Sequence, residues 1–300
     1  MAKLCDGRVV IVTGAGRGIG REHALMLAAH GAKVVVNDLG GSRDGTGGSV
    51  GPAEEVVAEI RKAGGQAVAN GDNVAEFAGA ERMVQQALDA FGRLDVVLSN
   101  AGILRDRMLV NMTEAEWDAV IAVHLKGTFA LAHFAAAHWR DRAKAGERPN
   151  ARIINTTSVS GLYGNPGQTN YGAAKAGIAA FTIIAARELA RYGVTVNAIA
   201  PGALTRMTED LGMGNASEED KASMHPRWVA PIGTWLASAE SNGVTGRVFE
   251  ASGRVFAIAE SWHRGPGADP VDDPTQIGAI VQDLLGRARK NADMNGQDYD

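Results

Sequence analysis

Arg8-Val9-Val10-Ile11-Val12-Thr13-Gly14-Ala15-Gly16-Arg17-Gly18-Ile19-Gly20 is the stretch whose reading decides the fold. Residues 8–13 form an apolar run closed by glycine, which suits a strand buried on both faces of a parallel sheet. A helical pattern follows from Arg21 to His30, stopped by Gly31, and Ala32–Asp38 reads as a second strand. Strand, glycine turn, helix and strand within about 30 residues make a βαβ unit. The glycines let main-chain N–H groups and a helix N-terminus close on a pyrophosphate. Gly14, Gly16, Arg17, Gly18 and Ile19 are therefore candidate dinucleotide contacts. Asp38 ends the second strand, where a carboxylate can accept from adenosine ribose hydroxyls and repel a 2′-phosphate. NAD is favoured over NADP on that ground, although Arg17 and Arg43 could each face a phosphate.

Working outward, residues 39–52 form a glycine-rich loop, too long to be a minimal connection. A helix over 53–63 and a strand over 66–70 lead to Asp72-Asn73-Val74, which can stand beside the adenine. After a helix from about Gly79 to Phe91, residues 94–99 form a fourth strand. Asn100-Ala101-Gly102 leaves it with the small side chains that a cofactor wall needs. Thr113 and Glu116 read as a capping box for a long helix that carries His124. Strands over 151–156, 194–200 and 248–251, with a helix from Tyr171 to about Tyr192, complete the alternation. The pattern predicts an α/β, doubly wound parallel sheet of about seven strands, a Rossmann fold. Residues 1–260 are read as one dinucleotide-binding domain, with 203–230 as a segment able to cover a substrate. Residues 261–300, rich in Pro and Asp at first and helical only over 275–290, are read as a C-terminal extension.

The chemistry is expected between Ser158 and Lys175. Tyr171 and Lys175 are four apart, so on a helix they share a face. Lowering a tyrosine from about 10 to about 7 takes roughly 4 kcal/mol, which one nearby cation in a partly desolvated cleft can supply.

Composition narrows the alternatives. With 30 Lys+Arg against 34 Asp+Glu the net charge is −4, and no dense basic run appears, which argues against a nucleic-acid surface. The single cysteine, Cys5, excludes an internal disulfide and any multi-cysteine metal site, and no metal is expected. No signal-like segment and no uninterrupted apolar run of membrane-spanning length is read, so a soluble cytoplasmic protein without membrane partners is expected.

Taken together, Thr13-Gly14 through Gly18-Ile19-Gly20, Asn100-Ala101-Gly102, Ser158, Tyr171 with Lys175, and Pro201-Gly202 resemble the short-chain dehydrogenase/reductase family over roughly residues 4–255. Val35–Gly41, Asn100–Arg107, His124–Gly127 and Ser160–Asn165 are similar, within it, to the (3R)-hydroxyacyl-CoA dehydrogenase module of peroxisomal multifunctional enzyme type two. The resemblance implies NAD-dependent interconversion of a (3R)-hydroxyacyl-CoA and a 3-ketoacyl-CoA by a homodimer or homotetramer, on a fatty-acyl or steroid side chain. It casts Tyr171 as general base, Lys175 as its cationic support and nicotinamide-ribose ligand, and Ser158 as the hydroxyl that holds the substrate oxygen. Ser160 is the alternative to Ser158, but the thirteen-residue spacing to Tyr171 favours Ser158. His124 stands where the family usually has Asn, acting there through a backbone carbonyl. Pro201, Gly202 and Thr205 fall near the nicotinamide, Thr205 one position early. A 3-ketoacyl-ACP reductase, a hydroxysteroid dehydrogenase and a non-catalytic NAD-binding regulator are the competing readings.

Overall fold

The opening apolar run forms β1 (Val9–Thr13), buried throughout in the computed structural model, which describes residues 3–42, 44–204 and 217–299. Val10 and Val12 enter one core and Val9 and Ile11 another, on opposite faces of the sheet. A strand buried twice over needs no polar alternation, which explains the continuous run. The chain continues through α1 (Gly18–Ala29), β2 (Lys33–Asn37), α2 (Gly51–Lys62), β3 (Gln66–Asn70), α3 (Phe77–Phe91) and β4 (Val96–Ser99). Next come α4 (Glu114–Ile121), a π-helical turn at Ala122–Lys126, and α5 (Gly127–Lys144). They are followed by β5 (Ala151–Thr156), α6 (Val159–Leu162), α7 (Thr169–Leu189) and β6 (Val194–Pro201). The first unit ends with α8 (Glu218–Ser223), α9 (Ala230–Ala237), β7 (Val248–Ala251) and β8 (Phe256–Ala259).

The strand order is β3-β2-β1-β4-β5-β6-β7-β8. β1 to β7 run parallel, and β8 is antiparallel to β7. Leu27, Ile60 and Leu236 from α1, α2 and α9 fill one face. Met83, Leu131, Trp139 and Ala186 from α3, α5 and α7 fill the other. Each large side chain so buried contributes about 1.5–3 kcal/mol. Winding reverses between β1 and β4, which opens a crevice at the carboxyl ends of those strands.

Several features depart from the sequence expectation. Among the described residues the sheet has eight strands, because β8 folds back on β7 through a turn in which Ser252 Oγ accepts from Arg254 and Val255 N–H. Its four residues are too few to carry a periodic signal, and Phe256 and Ile258 stay exposed. The run of β5 conceals a buried Arg152, whose Nε donates to Ser238 O and Ser241 Oγ at 3.2 and 3.1 Å. The helical span Glu114–Lys144 is long and apolar enough to cross a membrane, yet buries Leu131, Ala135 and Trp139 in the core. α7 starts at Thr169, which puts Tyr171 in its first turn.

The second unit, from Glu260, holds α10 (Pro274–Arg287) and an antiparallel pair, β9 (Asn291–Ala292) with β10 (Asp298–Tyr299). Asp273 caps α10 by accepting from Thr275 N–H at 2.9 Å.

Candidate active site

The glycine turn is shaped by close approach. Gly14 and Gly18 hold φ of +61° and +53°, the left-handed region that favours glycine. A Cβ on Gly20 would lie 2.0 Å from Gly14 O, and one on Gly16 2.8 Å from Asp38 Oδ2. The backbone of this turn is therefore bare, and α1 begins within it at Gly18, with Arg17 exposed at the N-cap. Ile19 packs its side chain against the core beneath. A turn this free of side chains at a helix N-terminus has room for a pyrophosphate.

Asp38 meets this turn from the end of β2. Its Oδ2 accepts from Gly16 N–H at 2.8 Å and its Oδ1 from Gly40 N–H at 2.6 Å. Asp72 is more heavily engaged: Asn70 Nδ2 donates to Oδ2 at 2.8 Å and Arg82 Nε to Oδ1 at 2.7 Å. Asn73 turns inward to accept from Ala75 N–H at 3.0 Å, and Val74 lies against Gly127. Asn100 ties the wall to the turn, donating from Nδ2 to Thr13 O and Gly14 O, both at 3.1 Å. Ala101 N–H donates to Thr13 Oγ1 at 3.1 Å. At the end of β6, past Pro201, Gly202 N–H donates to Ala251 O at 2.9 Å. Thr205, with Arg43, lies outside the described residues.

Ser158, Tyr171, Lys175 and His124, expected from the sequence to handle a proton, lie together beside Gly102. Ser158 N-caps α6, accepting from Ser160 N–H at 3.2 Å. Lys175 is only 3% exposed; its Nζ donates to Thr156 O at 2.6 Å and stands 5.6 Å from the Tyr171 ring centroid. Burial holds the Lys175 ammonium down at about 7. The Tyr171 phenol goes up, to about 12, because burial outweighs the Ser158 hydroxyl, which pulls it down; Asp106 adds to the rise. The sequence expectation is of a phenol ionised with help from Lys175 and from the positive charge of an oxidised nicotinamide, and without that second charge the phenol stays raised. Lys175 faces the ring and a carbonyl, and desolvation of the phenolate dominates without a further positive charge.

His124 occupies the π-helical turn and is 2% exposed. Its ring meets Tyr171 edge-on, centroids 5.1 Å apart. Nε2 lies 3.1 Å from Ile103 N and 2.8 Å from Ile103 O. One nitrogen can accept from the first or donate to the second, but not both in one tautomer. Burial, reinforced by the Lys175 charge, lowers its pKa to about 3, so the ring is neutral. A Cβ on Gly102 would fall 2.4 Å from His124 Cε1, so the last residue of the wall must be glycine to admit the ring.

Two contributors escaped the sequence analysis. Tyr163 donates its hydroxyl to Glu250 Oε1, joining the loop after Ser158 to β7. Asn170, next to Tyr171, binds two distant carbonyls. Beyond Ser252, an apolar groove of about 630 Å³ is lined by Trp228, Ile232, Trp235, Phe249 and Phe256.

Residues 8–215 match the family model of short chain dehydrogenases. The chain is 44% identical over 288 residues to hydroxyacyl-CoA dehydrogenase ChsB1 of Mycobacterium tuberculosis, covering 93% of this chain and 89% of that protein. It is 44% identical over 277 residues to peroxisomal multifunctional enzyme type 2 of Drosophila melanogaster, covering 91% of this chain and 44% of that longer protein. A crystal structure of a short chain dehydrogenase from Mycobacterium avium superposes with a TM-score of 0.86 at 55% identity, covering 96% of this chain and 98% of that one.

Proposed function

Because the chain belongs to the short chain dehydrogenase family, an oxidoreductase family acting on CH–OH groups, we propose that it interconverts (3R)-hydroxyacyl-CoA and 3-ketoacyl-CoA with NAD. The observation that carries this reading is the grouping of Ser158, Tyr171, Lys175 and His124 beside the bare glycine turn. The glycine turn at the N-terminus of α1 would hold the pyrophosphate, Asp38 the adenosine ribose and Lys175 the nicotinamide ribose. NAD supplies a hydride acceptor and, oxidised, a positive charge. With a nicotinamide bound, such a charge near Tyr171 would oppose the desolvation that raises the phenol. Ser158 donates to the substrate oxygen and holds it. Tyr171 takes the hydroxyl proton as C3 loses its hydride, leaving the 3-keto group. His124, neutral, keeps the wall at Ile103 in place.

Asp38 supports NAD over NADP, since a 2′-phosphate would add negative charge beside a carboxylate already fixed by Gly16 and Gly40. A second apolar groove, about 690 Å³ between α5 and α7 with Phe129, Phe181, Leu189 and Tyr192 on its walls, supports a homodimer or homotetramer.

The deciding experiment is steady-state oxidation of a panel of (3R)-hydroxyacyl-CoA esters with NAD and NADP, with the (3S) esters as controls. Turnover confined to the R series and faster with NAD is the expected result. Tyr171→Phe should lose about 10²–10⁴-fold in kcat while still binding cofactor. The assignment fails if no R ester is oxidised with either nucleotide, or if the Phe variant keeps more than about a tenth of the rate.

A further inference from the structure

Asn170 is fully buried at 0% exposure, one residue before the proposed base. Its side chain uses all three of its strongest hydrogen-bonding positions. Oδ1 accepts from Tyr171 N–H at 2.7 Å. Nδ2 donates to Arg105 O at 2.9 Å and to Glu116 O at 3.2 Å. Those carbonyls belong to the segment after β4 and to α4, which are 65 and 54 residues distant in sequence.

The helix itself explains why this matters. The N-cap of α7 is Gln168, whose side chain caps nothing. The early N–H groups of a helix lack internal partners, and an uncapped first turn frays. Here that turn carries Tyr171. Asn170 satisfies the Tyr171 N–H from inside the turn and anchors the same turn to two other elements. Gln168 adds to the tether from its own side chain, donating to Asp106 Oδ2 at 2.9 Å, and Arg107 N–H donates to Gly167 O at 2.8 Å.

The geometry points to Asn170 as a positioning residue that fixes Tyr171 against the cofactor wall, without touching substrate. The role rests on the proposed dehydrogenase reading for its kinetic consequence, but not for its structural one. The groups facing Tyr171 come from four places: Lys175 on its own helix, His124 from the π turn, Asp106 after β4 and Ser158 at α6. A first turn released from Asn170 changes the distance of the phenol to all four at once. Its kinetic ionisation must then move together with the rate.

Two full-length variants test this. Asn170→Ala removes every bond. Asn170→Asp keeps the volume and the acceptor for Tyr171 N–H but sets an oxygen against two carbonyls. Both should lower kcat by about 10–100-fold, as sub-ångström to ångström misplacement does. The KM for the thioester and the Kd for NADH should stay within about threefold, and the pH profile of kcat should shift. A role in stability alone would lower the melting temperature and the number of NADH sites, yet leave kcat per site and the pH profile unchanged. That outcome overturns the proposal. Amide hydrogen exchange on the wild-type protein gives a readout independent of substrate and of variant folding. The Tyr171 N–H should exchange at least about 100-fold more slowly than an open amide, and fast exchange there also overturns the proposal. If the wild type oxidises no hydroxyacyl-CoA while its Tyr171 amide is protected, the substrate assignment fails and the anchor stands.

Discussion

Lys175 is the residue at which stability and the proposed activity pull apart. Its ammonium is buried, and its pKa falls from 10.5 to about 7. A lowered lysine pKa means that the unfolded chain binds the proton more tightly, so burial costs stability at and below pH 7. The cost disappears as pH rises towards 10.5. Lys175→Met should therefore stabilise the cofactor-free protein near neutrality by about 1–3 kcal/mol while destroying turnover. The gain in melting temperature should shrink between about pH 7 and pH 10. Equal melting temperatures at neutrality, or a gain indifferent to pH, would refute this account. The spacing of Tyr171 and Lys175 was legible in sequence because four residues make one helical turn. Asn170 and Tyr163 were not, because their partners lie 65 and 87 residues away and no local pattern reports such a pairing.

Among the helices, α1 and α9 meet through His23 and Gly233. His23 is 1% exposed, and a Cβ on Gly233 would lie 2.4 Å from its Cε1. Burial lowers the His23 pKa from 6.5 to about 4. The unfolded chain thus takes up a proton that the folded one refuses between those values. Stability is full above pH 6.5 and is lost as pH falls towards 4. His23→Leu should flatten that acid limb by up to about 3 kcal/mol, measured by urea unfolding at several pH values. His124 titrates in the same direction, so part of the slope should survive the change. An unaltered slope would show that His23 is not the proton-linked group at this junction. Helices and strands were mostly readable from their apolar periods. The π turn at Ala122–Lys126 was not, since one added residue leaves a run of helix formers intact.

For the molecule, the doubly wound sheet was readable because strand, glycine turn and helix alternate in order, and right-handed crossovers leave few arrangements. The edge strand β8 and the shapes of the two grooves were not, because they depend on which side chains happen to converge. The α5–α7 groove makes a further expectation. Phe129, 44% exposed on its rim, stacks with Phe77. Phe129→Glu should convert the proposed oligomer to monomers in sedimentation velocity, with circular dichroism unchanged. A wild-type monomer, or a variant that sediments like the wild type, removes that groove as the contact. The strand order also has a consequence for synthesis. As the nascent chain leaves the ribosome, β1 keeps one flank bare until β4 emerges, and then β4, β5, β6 and β7 inherit that bare flank in turn. Every truncated intermediate therefore carries a sticky border ready to template a neighbour. On that side the sheet stops growing at β8, which is the last strand of the first unit to be made and runs antiparallel to β7.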